Sequence, residues 1–138
     1  MNVVFADTYY YLAWINPRDG AHAAARQFAA EYRGDVITTS GVLLEVGDAL
    51  CRSANRDSFL AVLPEIQDDP SVTLVQIDEA LLGRGIELFR ARPDKDWSLT
   101  DCISFVVMTE LGLTDALTGD RHFEQAGFRA LLQPDAGA

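Results

Sequence analysis

The chain has 138 residues, of which 21 are acidic and 11 are basic, so its formal net charge at pH 7 is -10. This length suits one domain with a substantial core. A hydrophobic share of 49% and a charged share of 23% exclude an intrinsically disordered chain. No apolar stretch approaches a membrane span, and the amino terminus lacks the basic flank of a signal peptide, so we expect a cytoplasmic protein.

The acidic balance also excludes a protein that coats nucleic acid by charge alone, because such a protein needs a basic patch. It is compatible with an enzyme that meets phosphates through bound metal ions, since these reverse the sign of the local field.

Short apolar strands alternate with helices along the whole chain, separated by Gly, Pro and Asp turns. In the first half we predict, in order, a strand at 2–6, helices at 9–15 and 22–32, a strand at 36–39, and helices at 42–53 and 56–67. In the second half we predict a strand at 72–77, a helix at 80–91, a buried helix ending at 111, a strand at 116–118, a helical turn at 121–125 and a strand at 128–132. The expected N-caps are Ser40, Asp78, and either Ser98 or Thr100. This alternation predicts an α/β domain with a mainly parallel central sheet.

Four carboxylates follow a predicted strand or lie near the start of a helix. Asp7 and Asp120 come just after strands, Glu45 lies in the helix that follows the second strand, and Asp101 lies in the first turn of the buried helix. Function in parallel sheets concentrates at the carboxyl ends of the strands, so we expect these four side chains to meet there. Asp115 precedes its strand, so we expect it on the order of 15 Å from Asp120 and away from that edge.

Taken singly, each acid also has a structural interpretation. Asp7 can cap the helix that follows it, and Glu45 can belong to a solvated stripe with Asp48 and Arg52. Together, uncompensated carboxylates would cost several kcal/mol through repulsion and desolvation, and no run of Lys or Arg is placed to neutralise them. We therefore predict a divalent cation, and all-oxygen ligands favour Mg²⁺ or Mn²⁺ over zinc.

The expected roles within this site differ between the four acids. Asp7 and Asp101 are the predicted core metal ligands, while Glu45 and Asp120 ligate directly or orient bound waters. In the metal-free chain, repulsion should raise the pKa of at least one of the four. Thr118 is expected to hydrogen-bond a ligand or a phosphate.

These residues, in this order and spacing, resemble the PIN domain, and the chain is most similar to the VapC-type ribonuclease toxins of prokaryotic toxin–antitoxin pairs. The resemblance rests on the four acids and on the run Asp120 to Phe128, which is similar to the carboxy-terminal signature of that family. It implies a single three-layer PIN-like domain over 1–133 with a short tail at 134–138. It also implies a Mg²⁺- or Mn²⁺-dependent RNA endonuclease that is inhibited by a cognate antitoxin and is often a homodimer. One departure is Asp7-Thr8-Tyr9, where many members carry a second small hydroxyl residue after the aspartate. This departure bears on substrate contacts, for which Thr8 is a candidate residue.

Several other residues leave two interpretations open. His22 is expected at the surface, and His122 is expected to pack or hydrogen-bond and not to act as a general base. The aromatic stretch 9–11 with Trp14 either stacks bases or belongs to the core or a dimer interface. A basic set either contacts RNA or forms a solvated face: Arg84, Arg90, Arg92 and Lys95.

Other small acidic α/β classes fit less well. Receiver domains carry an acidic pair after the first strand, and haloacid-dehalogenase-type phosphatases carry Asp-x-Asp there, whereas this chain has Asp7-Thr8-Tyr9. The remaining alternative is a catalytically silent PIN-like module that binds a protein partner.

Overall fold

Five short parallel strands form the centre of the protein in the computed structural model, which describes residues 2–132. They are β1 (Val3–Ala6), β2 (Asp35–Thr39), β3 (Val72–Val75), β4 (Asp115–Leu117) and β5 (Arg129–Ala130). Every neighbouring pair is parallel, which confirms the predicted α/β class. The tail predicted at 134–138 lies outside the described residues.

Seven helices connect and flank these strands within the described residues. They are α1 (Thr8–Ile15), α2 (His22–Glu31), α3 (Ser40–Ala49), α4 (Arg56–Gln67), α5 (Glu79–Ala91), α6 (Leu99–Glu110) and α7 (Arg121–Gln125). Asp78 caps α5 and Ser98 caps α6, as the sequence predicts. None of the helices in this part of the chain is long and apolar enough to cross a membrane.

The start of α3 differs from the prediction. The side chain of Thr39, not that of Ser40, accepts the capping hydrogen bond from the backbone N–H of Val42. The Ser40 hydroxyl instead accepts a hydrogen bond at 2.9 Å from the backbone N–H of Ile77, after β3. The helix also ends at Ala49 and not at 53, and the chain then turns into α4.

The strand order is β3-β2-β1-β4-β5, so the direction of chain progression reverses at β1. The chain moves outward from β1 to β3 and then returns to add β4 on the other side of β1. In open parallel sheets the crevice beyond the carboxyl ends of the strands at such a reversal is the usual binding site. Here that crevice lies between the ends of β1 and β4, where Ala6 pairs with Leu117.

Candidate active site

Asp7 follows β1 and is almost completely buried, with 5% of its surface exposed. It occupies the N-cap position of α1, but its side chain makes no capping hydrogen bond. Its Oδ2 instead accepts a hydrogen bond at 2.8 Å from the Oγ1 of Thr118, at the end of β4. The hydrogen bond from Thr118 therefore holds the Asp7 carboxylate across the crevice, although Asp7 also stands at the N-cap position.

The environment of Asp7 disfavours its charge. Burial raises the pKa of Asp7 from 3.8 to about 7, the hydrogen bond from Thr118 opposes that rise, and the nearby charge of Asp101 adds to it. The expectation that at least one acid has a raised pKa is confirmed, although the main cause is desolvation and not repulsion.

Asp101 lies in the first turn of α6 and is also buried. It forms a capping box with Ser98: the Ser98 side chain accepts from the backbone N–H of Asp101, and Asp101 Oδ2 accepts from the backbone N–H of Ser98 at 3.1 Å. The same Oδ2 lies 3.1 Å from the Nδ1 of His122. Helix capping therefore fixes this carboxylate at the edge of the crevice.

Asp120 follows β4 and begins α7. Its Oδ1 accepts a hydrogen bond at 2.9 Å from the backbone N–H of His122, and its own N–H donates to Thr118 Oγ1 at 3.0 Å. Gly119 lies so close to Tyr9 that a Cβ there would stand 2.5 Å from the tyrosine ring. A side chain at position 119 would therefore require the Tyr9 ring to move.

Glu45 reaches the crevice from the middle of α3. Its Oε1 accepts a hydrogen bond at 2.7 Å from the Oγ1 of Thr8. Partial burial raises the pKa of Glu45, the hydrogen bond from Thr8 opposes that rise, and the charges of Asp101 and Asp120 add to it. Glu45 thus belongs electrostatically to the acidic site and not only to a solvated helix face.

All four predicted acids line one open cleft, together with Thr8, Tyr9, Ser98 and two residues that the sequence prediction left out of the site, Asp96 and His122. None of the lining residues is Lys or Arg. Among the described residues, one group of three has ligand atoms that all lie within 4.8 Å of one another: Asp101, Asp120 and His122. Asp7 and Glu45 line the same cleft outside that group. A donor set dominated by carboxylate oxygens fits a divalent cation.

The two missed residues have different explanations. Asp96 lies in the loop before α6, where no strand or helix pattern predicts which way a side chain faces. His122 was expected to hydrogen-bond, and its contact with Asp101 confirms that interpretation. The sequence signal that could have placed His122 in the site is its position two residues after Asp120, at the start of a helix.

Of the aromatic stretch 9–11 with Trp14, Tyr9 lines the cleft, whereas the candidate residues that follow lie away from it. Asp115 is the first residue of β4, whereas the prediction placed it before the strand, and it forms an ion pair with Arg129 at 3.2 Å. Trp14 lines a separate cavity with Tyr10 and Tyr11. Arg84, Arg90 and Arg92 form ion pairs with acidic neighbours on the surface: Glu110, Glu87 and Asp94.

A family model described as the PIN domain matches residues 4–129 of this chain. The chain belongs to the PIN domain family. The match includes at least part of every strand and all four acids, so the resemblance predicted from the sequence is confirmed.

Individual PIN-domain relatives agree with this assignment. The chain is 27% identical over 126 residues to the 23S rRNA-specific endonuclease VapC20 of Mycobacterium tuberculosis, covering 91% of this chain and 95% of the relative. The crystal structure of that toxin, described as cleaving the sarcin-ricin loop, superposes with a TM-score of 0.85 at 26% identity, covering 93% of this chain and 97% of the other.

Two more distant structures share the fold. VapBC2 from Rickettsia felis, bound to a DNA fragment from its promoter, matches with a TM-score of 0.64 at 12% identity over 91% of this chain and 94% of the other. FitAcB from Neisseria gonorrhoeae matches with a TM-score of 0.63 at 15% identity over 92% and 95%.

Proposed function

We propose that this PIN-domain chain is a divalent-metal-dependent RNA endonuclease and the toxin of a toxin–antitoxin pair. The observation that carries the proposal is the convergence of Asp7, Glu45, Asp101 and Asp120 in one cleft at the reversal point of a PIN-type sheet. The proposed enzyme has the reaction class of these relatives: it is an endoribonuclease that hydrolyses phosphodiester bonds.

The four acids are the proposed ligands of Mg²⁺ or Mn²⁺ and the catalytic residues. When bound there, a divalent cation supplies Lewis-acid stabilisation of phosphate charge and makes the attacking water more acidic. The chain itself supplies a cluster of carboxylates with no neighbouring Lys or Arg in the cleft lining, which attracts cations strongly.

The hydroxyl residues position these carboxylates. Thr118 donates to Asp7 and accepts from the backbone of Asp120, so it ties the ends of β1 and β4 together. Because Thr118 is fully buried, we assign it to positioning Asp7 and not to contacting RNA. Thr8 donates to Glu45 at the cleft surface, where it also lies within reach of a substrate.

We propose ribosomal RNA as the substrate, with the sarcin-ricin loop of 23S rRNA as the first sequence to test. The support is that both the sequence match and the TM-score of 0.85 are to a toxin of that specificity, whereas the other two structures match at 0.64 and 0.63.

We further propose that the protein acts in the cytoplasm, is inhibited by a cognate antitoxin, and forms a homodimer. The antitoxin proposal is supported by the match to VapBC2, a complex bound to promoter DNA. Size measurement by light scattering, on the chain alone and on the chain mixed with a candidate antitoxin, tests the last two parts.

Cleavage of a synthetic sarcin-ricin loop RNA tests the function. We expect a discrete cut in Mg²⁺ or Mn²⁺ and none in excess EDTA. Metal-independent cleavage would contradict the mechanism. No cleavage of any RNA, together with tight binding of an antitoxin, would favour the catalytically silent module.

A further inference from the structure

The ring of His122 lies among the acids of the cleft, and the proposal that follows rests on the proposed metal-dependent function. Its Nδ1 is 3.1 Å from Asp101 Oδ2 and 3.4 Å from Asp120 Oδ1. About a fifth of the His122 side chain is exposed, so the ring stands at the cleft wall and not in the core.

A ring nitrogen and two carboxylate oxygens at these distances need either a proton or a cation between them. A hydrogen on Nδ1 would let the ring donate to the carboxylates in the ion-free chain. A cation satisfies all three atoms at once, with the ring hydrogen on the other nitrogen. Two ligands that each lie about 2.1 Å from one ion are at most about 4.2 Å apart. Both nitrogen–oxygen separations are within that limit, and all three ligand atoms lie within 4.8 Å of one another.

The two carboxylates do not need the ring to hold them in place. Asp101 is aligned by the backbone N–H of Ser98, and Asp120 is aligned by the backbone N–H of His122 itself. A role limited to orienting these acids would therefore duplicate contacts that the helix starts already make.

We propose that His122 Nδ1 is a direct ligand of the catalytic cation, beside Asp101 and Asp120, and that it biases the site toward Mn²⁺ over Mg²⁺. Mg²⁺ is bound almost entirely through oxygen, whereas imidazole nitrogen suits transition metals. One nitrogen in a set of carboxylates therefore shifts the preference of the site without excluding Mg²⁺.

Pulsed electron paramagnetic resonance of the full-length protein loaded with Mn²⁺ tests this ligand directly. We expect the wild type to show coupling between Mn²⁺ and a ¹⁴N nucleus. The chain has two histidines, and the other one, His22, bonds through Nδ1 to the carbonyl of Ala13. His22→Asn is therefore the matched control and should keep the signal, while His122→Asn should lose it.

Calorimetric titration with Mn²⁺ and with Mg²⁺ adds a second readout. In His122→Asn we expect Mn²⁺ affinity to fall on the order of tenfold and Mg²⁺ affinity to change much less. Asparagine keeps an N–H donor near Asp101, so an orienting role would survive it.

The outcomes separate this proposal from the function itself. Wild-type protein that binds Mn²⁺ and cleaves RNA without ¹⁴N coupling would overturn the histidine ligand and leave the function intact. Wild-type protein that binds neither ion would overturn both. The spectra of the wild type and of His22→Asn decide the matter even where His122→Asn fails to fold.

Discussion

The acidic cleft and the aromatic cavity of this protein both bury ionisable groups, but burial costs stability only in the cleft. The cavity, of about 170 Å³, lies between α1, α2 and α4 and is lined by the rings of Tyr10, Tyr11, Trp14, Phe28 and Tyr32. Burial raises the pKa of Tyr10 to about 12, and a phenol that is neutral at pH 7 in any case loses nothing by it. In the cleft, burial raises the pKa of Asp7 to about 7, so the same physical effect works against a group that is charged in the unfolded chain.

The comparison separates stability from chemistry. The cavity packs rings against one another, as with Phe28 stacked on Tyr32 at 4.7 Å between centroids. The cleft holds carboxylates whose charge destabilises the metal-free fold and which a bound cation would stabilise. Variants in the two regions should therefore move different observables.

Replacing Asp7 should give the largest effect, in both activity and stability. Asp7→Asn should lower RNA cleavage by about a hundredfold or more, because a proposed metal ligand is lost. Without metal at pH 8 the same variant should be more stable than the wild type, by on the order of 3 kcal/mol, because asparagine accepts the hydrogen bond from Thr118 without a buried charge.

The pH dependence of that stability gain has a definite sign. The Asp7 carboxyl takes up a proton near pH 7 when folded and near 3.8 when unfolded, so the folded chain binds more protons between these values. The free energy of unfolding of the metal-free wild type should fall as pH rises from about 4 to about 7, relative to Asp7→Asn. Urea denaturation in EDTA at several pH values measures this free energy. The same pH dependence in both proteins would show that the charge of Asp7 does not destabilise the folded chain.

A pair of aspartates at opposite ends of β4 gives the next effect. Asp120→Asn should reduce cleavage by about a hundredfold, while Asp115→Asn should leave it nearly unchanged and cost at most about 1 kcal/mol from its exposed ion pair with Arg129. Initial cleavage rates at saturating Mn²⁺ compare the two. If Asp115→Asn proved the inactive variant, the location of the site would be refuted.

A substitution in the aromatic cavity should show the reverse pattern. Phe28→Ala removes a half-buried ring that packs on Tyr10 and Tyr32, and should cost about 2 kcal/mol of unfolding free energy. Cleavage per folded molecule should stay within about twofold of wild type, as should that of the control Phe28→Leu, which ought to keep most of the stability. A large loss of cleavage at full folding would link the cavity to the chemistry.

A smaller loss of cleavage than at Asp7 or Asp120 should come from the hydroxyl that links the two strand ends. Thr118→Val keeps the shape but removes the donor to Asp7 and the acceptor for Asp120, so cleavage should fall about tenfold, whereas Thr118→Ser should be close to wild type. Since the Thr118 hydrogen bond lowers the pKa of Asp7, the valine variant should also move the stability change in EDTA to higher pH. Equal cleavage rates for the two variants would show that the Thr118 hydroxyl does not position Asp7.

Much of the fold was predictable because local signals agree with it. The bounds of α4 match the prediction at both ends, and Asp78 and Ser98 cap the helices expected of them. The start of α3 was not predictable from the sequence, because Thr39 and Ser40 are both good caps. A contact with Ile77, far along the chain, decides between them. The last strand is also shorter than predicted, since only Arg129 and Ala130 pair with β4.

The candidate site was predictable in its acids and not in its details. Strand ends and helix starts place Asp7, Asp101 and Asp120 by topology alone. The closeness of His122 to Asp101 depends on how α7 packs beside α6, which no local pattern encodes. The raised pKa of Asp7 likewise depends on the tertiary structure. Burial raises it, and the two side chains that modify it, Thr118 and Asp101, are distant in sequence.

The most direct test of the central claim is cleavage of a sarcin-ricin loop RNA by the wild type and Asp7→Asn, each with Mn²⁺ and with excess EDTA. The acidic cleft predicts cleavage in one of the four reactions only, that of the wild type with Mn²⁺. Cleavage by Asp7→Asn at the wild-type rate, or undiminished wild-type cleavage in EDTA, would contradict it.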